Sequence, residues 1–362
     1  MSVNQRLTVS LAALTHNYRL CQTHHQGDVG AVVKADAYGL GAGPIAGQLL
    51  QDGCQHFFVA TLAEARQLRA TLADRPAATE PEIYVLEGLL ESPQAYGAQQ
   101  LTPILNTLDQ CRRWAATGLP MVLHVDTGMQ RLGLSSAEFA QLMSESTPDV
   151  SLLMTHFACA DEVQHPANAQ QLQHFQQLRG QLESVLQRQV TVSVGNTAGL
   201  LQFDCGPQLS RAGVGLYGGN PFSGADNPFR PVVCLEGQVL QLRELPAETP
   251  VGYGATYITH QPTRIATIGL GYADGVPRLL SNCGRVWLRD GYVPIVGRVS
   301  MDLLTVDVSQ LGEVNPGDWV EVIGSHISLD EVAAHAQTIS YEILTGLSRR
   351  ASRVYQQELL AQ

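Results

Sequence analysis

The stretch Val29-Gly-Ala-Val-Val-Lys34-Ala-Asp-Ala-Tyr38-Gly-Leu-Gly41 decides how this chain is read. Five apolar residues without alternation describe a strand buried on both faces, as in a parallel sheet. The lysine that follows stands at the C-terminal end of that strand. Seven more short apolar runs come after it, at 56–60, 83–86, 103–105, 121–125, 152–155, 190–194 and 212–216, and most intervals between them carry helical patterns. Thr61-Leu-Ala-Glu64 and Ser135-Ser-Ala-Glu138 fit the capping box, in which Ser/Thr and Glu satisfy each other's free N–H groups at a helix start. Eight strands alternating with helices predict an α/β fold, a (β/α)8 TIM-type barrel over 10–228, in preference to an open doubly wound sheet.

Beyond residue 228 Val, Thr, Ile and Gly dominate. Asp290-Gly291 between the runs 285–289 and 292–296 is a hairpin signal, and Asn315-Pro-Gly-Asp318 is a second turn ahead of the run 319–323. Ser328-Leu-Asp-Glu331 is a third capping box. A C-terminal, mainly-β domain is expected over 229–362, together with residues 1–9, with the junction at 223–227.

The 362 residues suffice for two or three domains, and 44% hydrophobic with 15% charged residues is a globular composition. Lys+Arg 22 against Asp+Glu 33 gives a net charge of −11, which argues against nucleic acid or an anionic membrane as partner. MSVNQRLTVSLAALTHN lacks a basic stretch followed by an apolar core, and no segment is apolar enough to span a bilayer, so a cytoplasmic protein is expected. The 7 cysteines, at 21, 54, 111, 159, 205, 234 and 283, are scattered and odd in number, and no CxxC occurs. They read as reduced thiols, with no metal site.

The strand ends carry the chemistry. Lys34 could form an imine with an aldehyde. Asp126 to Arg131 follow the fifth strand, Thr155-His156 end the sixth, Gly195-Asn196-Thr197 the seventh, and Arg211-Ala-Gly213-Val214 lie on the eighth. Barrels often bind phosphate at the loops after strands seven and eight. Gly213 lets backbone approach closely and Thr197 offers a hydroxyl. A lysine, a phosphate cradle and an arginine around one mouth suit pyridoxal 5'-phosphate.

Eight segments then fall in one order: VVKADAYGLG (32–41), HVDTGMQRLG (124–133), THFACADE (155–162), GVGLYGGNP (213–221), VGYGATY (251–257), GYADGVPR (271–278), GRVSMD (297–302) and SYEILTGLSRR (340–350). In this the chain resembles the alanine racemases, the fold-type III pyridoxal-phosphate enzymes, over nearly its whole length. The resemblance implies that Lys34 binds the cofactor covalently and serves as one of two bases. Tyr253, contributed by the partner subunit of a homodimer, is the other, on the opposite face of the substrate α-carbon. It further implies a relay from that tyrosine through His156 to Arg211, with Arg211 facing the pyridine nitrogen. Tyr38, Thr197, the backbone of Gly213 and Val214, and Tyr341 hold the phosphate, and Asn196 is a further cofactor-binding residue. Arg131 and the Met301 backbone bind the substrate carboxylate. Tyr272 and Tyr341 form the inner gate of a channel whose outer part is Arg278, Arg298 and Asp161, and Asp302 supports Met301.

The same resemblance exposes departures. Many members carry a carbamylated lysine where His124 stands, steering the carboxylate-binding arginine. Here a chloride, another anion or a direct side-chain contact is expected to orient Arg131. Thr197 replaces a frequent serine and keeps the hydroxyl, whereas Leu40 and Ser10 replace residues without a catalytic part. Alanine is the expected substrate, because two tyrosines crowd the site. A broad-spectrum or serine-preferring racemase, a non-catalytic pyridoxal-phosphate carrier and a basic-amino-acid decarboxylase are the alternatives. Supply of D-alanine for cell-wall peptides and its catabolism fit equally.

Overall fold

The computed structural model describes residues 4–73, 75, 79–145, 147–203 and 206–360. Its first strand, β1 (Gln5–Ser10), does not enter the barrel. The next eight do: β2 (Val29–Val32), β3 (His56–Val59), β4 (Glu82–Val85), β5 (Leu101–Leu105), β6 (Met121–His124), β7 (Val150–Met154), β8 (Thr191–Ser193) and β9 (Ser210–Ala212). All their pairings are parallel, in the order β8-β7-β6-β5-β4-β3-β2-β9. The seam between β8 and β9 is bridged by backbone bonds from Leu209 N to Val192 O (2.9 Å) and Arg211 N to Gly195 O (2.8 Å). The sheet is thus a nearly closed barrel with helices outside it, and every strand delivers its C-terminal end to one mouth.

Local chemistry explains the details. Thr61 accepts from Glu64 N, and Glu64 reaches back to the cap, so the box forms in full. Ser135 and Glu138 exchange the same pair of bonds. At Ser328 only half a box forms: its hydroxyl accepts from Glu331 N (3.1 Å), but the Glu331 carboxylate is drawn to Arg285 at 2.6 and 3.0 Å. The eighth run begins earlier than its apolar residues suggest. The strand covers Ser210–Ala212, and Val214–Tyr217 is a 3-10 turn, since Gly213 leaves the extended region. The hairpin turns one residue earlier than expected, at Arg289 and Asp290, with Leu288 paired to Gly291 and Arg289 at φ 55. Arg289 takes that conformation while bound to Asp318 at 2.9 Å.

The second domain is built on β10 (Val233–Leu245), long enough to serve two layers of pairing. A hairpin of β11 (Pro250–Val251) and β12 (Tyr257–Ile258) follows, then β13 (Thr263–Ile268), β14 (Arg285–Leu288), β15 (Gly291–Pro294), β16 (Leu304–Asp307), β17 (Trp319–Ile323) and, after two helices, β18 (Ser352–Gln356). One path runs β15-β14-β17-β10-β1-β18, while β13 pairs the other half of β10 and carries β16. The two chain ends lie side by side, β1 and β18 being parallel. Six cysteines are free thiols; Cys205 lies outside the described residues.

Asn17, 0% exposed, fastens the junction. Its amide donates to Arg230 O (2.9 Å) and Leu216 O (3.3 Å), and its carbonyl accepts from Arg230 N (2.9 Å). Asn17→Ala removes all three bonds; Leu216 O is buried, while the two Arg230 groups are part-buried and can recruit water. At about 1–3 kcal/mol for a buried unsatisfied group, a loss of about 1–3 kcal/mol is expected, read as a lower urea midpoint. A midpoint equal to the parent's would contradict this role.

Candidate active site

At the C-terminal mouth of the barrel lies a cavity of about 480 Å³. Lys34, Tyr38, His124, Arg131, His156, Asn196, Thr197, Arg211, Gly213 and Tyr341 all line it, brought together from five strand ends and one helix of the second domain.

Lys34 opens an unusual turn. The next four residues, Ala35, Asp36, Ala37 and Tyr38, have φ of 52, 55, 52 and 56, a full left-handed helical turn without a glycine. Each such L-residue costs about 1–2 kcal/mol. The turn aims Lys34 at its start and Tyr38 at its end into one cavity. The buried Tyr38 ring lies 4.7 Å from Tyr217 and 5.8 Å from Tyr341. Burial lowers the Lys34 pKa most, the nearby Arg131 lowers it further, and Glu64 opposes the shift.

Opposite, Gly213 N donates to Thr197 Oγ1 at 2.8 Å. A Cβ on Gly213 would sit 2.8 Å from the Tyr38 hydroxyl, so only glycine leaves this corner open. Asn196 spends its side chain on capping the helix Thr197–Gln202, accepting from Gly199 N at 2.9 Å. Val214 is fully buried behind Gly213.

Arg211 is a guanidinium 3% exposed with no carboxylate partner among the described residues. It donates to Ser193 Oγ (2.6 Å), Thr155 O (2.8 Å) and His156 Nδ1 (3.0 Å). A guanidinium can only donate, so Nδ1 of His156 accepts and the ring proton sits on Nε2. Burial, then Arg211, holds His156 far below the usual imidazole range, and the ring is neutral.

His124 has the other tautomer. The Asn106 amide nitrogen donates to Leu86 O (3.0 Å) and Ile104 O (2.9 Å), so its oxygen faces His124 Nδ1 at 2.8 Å. Nδ1 must carry the proton, and Nε2 presents a lone pair. Burial first, then Arg211, pushes the pKa of His124 down to about 4. Arg131 makes no hydrogen bond or ion pair among the described residues.

Comparison with known proteins bears on this constellation. Residues 9–221 match the model of the alanine racemase N-terminal domain, and 232–355 that of the alanine racemase C-terminal domain. The chain belongs to the alanine racemase family. It is 42% identical over 364 residues to a catabolic alanine racemase of Rhizobium johnstonii, covering 96% of this chain and 94% of that one. It is 43% identical over 359 residues to an alanine racemase of Acidiphilium cryptum, covering 96% and 98%. The crystal structure of alanine racemase from Bartonella henselae with covalently bound pyridoxal phosphate superposes with a TM-score of 0.88 at 37% identity, over 98% of this chain and 100% of that one. The biosynthetic alanine racemase of Pseudomonas aeruginosa gives 0.87 at 36%, over 98% and 99%.

In this family member, a second set of expected residues lies outside the cavity. Tyr253, 69% exposed, sits in the turn between β11 and β12. Met301 is 54% and Tyr272 43% exposed, and their loops are joined by Tyr272 N to Ser300 O (3.0 Å) and Ala273 N to Met301 O (2.9 Å). Arg298 packs beside Gly254, Arg278 is exposed in the turn Arg278–Leu280, and Asp302 is held by Arg350 at 2.8 Å. Asp161 accepts from Ser223 Oγ at 2.9 Å. Among the described residues of one chain, these expected residues therefore do not line the cavity that holds Lys34. Sequence reading missed Asn106 and the second use of Glu64, whose Oε1 accepts from Ala35 N at 2.9 Å. The strand-end position of Asn106 was the available signal; the Glu64 contact had none.

The buried neutral histidines give stability a sign with pH. Below about 6.5 the unfolded chain binds protons on His124 and His156 that the folded chain refuses, so stability is lost as pH falls. For His124, with its pKa near 4, the loss by pH 5 is about 2 kcal/mol. Denaturant midpoints at pH 7, 6 and 5 test this, His124→Gln being expected to flatten the profile. An unchanged slope in that variant would contradict it.

Proposed function

We propose that this chain is a pyridoxal-phosphate-dependent alanine racemase, interconverting L- and D-alanine with Lys34 as one base and Tyr253 of the partner subunit as the other. The observation that carries the reading is the cavity itself: an amine of lowered pKa facing two guanidinium groups, beside an open Gly213 corner. It fits a dianionic phosphate at Tyr38, Thr197, Gly213, Val214 and Tyr341, an aldehyde at Lys34, and a carboxylate at Arg131. When bound, the cofactor supplies an electron sink that makes the substrate α-proton acidic.

The protein's residues then handle the proton. Burial and Arg131 raise the fraction of Lys34 that is free amine near neutrality, which suits it to take or return a proton on one face. Ionising a tyrosine at pH 7 costs roughly 4 kcal/mol, given a reference pKa of about 10. His156 in its Nε2–H form can donate to the phenolate of the partner's Tyr253, while Arg211 keeps the ring in that tautomer. Arg211, unpaired with any acid among the described residues, is a permanent cation toward the cofactor ring. Arg131 meets the substrate carboxylate together with the backbone of the partner's Met301.

A swing of the Arg131 guanidinium, which bonds to nothing among the described residues, onto His124 Nε2 is favoured over chloride as the means of orienting it. The Nε2 lone pair attracts a guanidinium and repels an anion. The exposed face of Tyr253, Tyr272 and Met301 suits a homodimer with shared sites. The second domain that carries it weighs against a non-catalytic carrier. No helix among the described residues is long and apolar enough to cross a membrane.

A chiral assay over alanine, serine, lysine and ornithine, with α-deuterium exchange in heavy water, tests the reading. Tyr253→Phe and Lys34→Ala are each expected to lose about 10²-fold or more in kcat, the scale of a positioned acid–base group. Co-expressing the two variants restores about one quarter of wild-type activity by random subunit pairing, since one site of each mixed dimer is intact. No restoration would refute the shared site, and no exchange by wild-type enzyme on either enantiomer would refute the racemase.

A further inference from the structure

A left-handed turn of four L-residues persists only where its surroundings hold it. The bonds across its ends are Ala37 N to Val33 O (2.9 Å), Gly39 N to Ala35 O (2.8 Å), Leu40 N to Ala37 O (3.2 Å) and Gly41 N to Asp36 O (2.8 Å). Each end also meets a charged side chain of the sign its free groups require. At the start, Glu64 Oε1 accepts from Ala35 N at 2.9 Å, while its Oε2 accepts from Ala60 N at 2.8 Å. At the finish, Arg353 places Nε at 2.9 Å and Nη2 at 2.6 Å on Gly39 O.

The guanidinium of Arg353 has no carboxylate partner among the described residues. It donates instead to Leu347 O (3.2 Å) and Ser348 O (3.3 Å). Arg353 sits on β18, in register with Leu7 of β1, so its anchor is the second sheet. Two neighbours reinforce it: Tyr355 OH donates to Leu40 O (2.8 Å), and Arg349 lies 3.2 Å from Asp36 Oδ2. The carboxylate at the first N–H and the guanidinium at the last C=O match the dipole of the turn at both ends.

We infer that Arg353 is a positioning residue: from the second domain it clamps the C-terminal end of the left-handed turn, against Glu64 at the other end, and so fixes the direction in which Lys34 enters the cavity. The β domain thereby acts on the lysine of its own chain, apart from any residue it lends to a partner. The catalytic consequence rests on the racemase reading; the clamp itself does not.

Hydrogen–deuterium exchange of the holoenzyme, with steady-state kinetics, tests it. In Arg353→Gln, the peptide over residues 33–42 is expected to exchange at least about tenfold faster, while one over 119–125 stays within about twofold. kcat for alanine falls by about tenfold or more and KM stays within about threefold, as misaimed chemistry requires. Arg353→Lys keeps the charge but lacks the fork, and shows the same pattern more weakly. Parent-like exchange over 33–42 in Arg353→Gln overturns the inference. So does faster exchange spread evenly over the second domain, or a rise in KM alone. Should the Gln variant not fold, the Lys variant decides, parent-like exchange and kcat in it being the overturning result. Wild-type enzyme inactive on alanine would sink the racemase reading and leave the exchange data to judge the clamp.

Discussion

A permanent cation buried without an acid organises this protein. Arg211, at the end of the barrel's closing strand, gives its hydrogens to two side chains and to carbonyl oxygens, and to no carboxylate among the described residues. Its desolvation is only partly offset by those neutral acceptors. The neighbours follow from it. His156 is kept neutral with its proton turned away, and His124, also near Arg131, is neutral through burial and the same fields. The unmatched positive charge of the cavity favours a ligand with anionic groups, such as the phosphate and carboxylate proposed above.

The two domains answer this constraint in different ways. The barrel supplies strand ends whose directions are set by parallel pairing, and these suffice for His124, His156 and Arg211. Lys34 cannot be aimed so simply, because the following residues must also bring Tyr38 round to the same cavity. A right-handed turn would send Tyr38 elsewhere. The left-handed one is costly, and the charged residues gathered at its ends come from both domains. The second domain is therefore part of the barrel's own site as well as the bearer of Tyr253 and Met301.

Much of this was legible in the residues. Short, mostly apolar runs marked the eight parallel strands, because burial on both faces leaves few polar positions within a run. Chemistry-bearing residues stood at strand ends, where Lys34, His156 and Thr197 indeed border one cavity. Less legible was whatever depended on distant pairing. The last barrel strand starts at Ser210, because Ser-Arg-Ala holds its place by neighbours on both sides and not by its own hydrophobicity. The half-formed box at Ser328 reflects Arg285, 46 residues away in sequence. No local signal marks Ala35–Tyr38 as left-handed, since alanine, aspartate and tyrosine all prefer the right-handed form.

The net charge of −11 and the cationic cavity pull in opposite directions on an anionic ligand. Screening decides between them. With a Debye length of about 8 Å at physiological ionic strength, the surface acids fade over distances comparable with the width of the barrel wall. Beneath the mouth of the cavity the dielectric is lower, so the buried Arg211 is screened far less than the exposed Arg131. Net charge then governs how copies of the protein repel one another in solution, and the cavity cations govern what stays in the site. Burial of Arg211 is what separates the two effects: on the surface it would be one screened charge among the 22 of Lys and Arg, whereas beneath the mouth of the barrel it becomes a local field that distant surface acids barely offset.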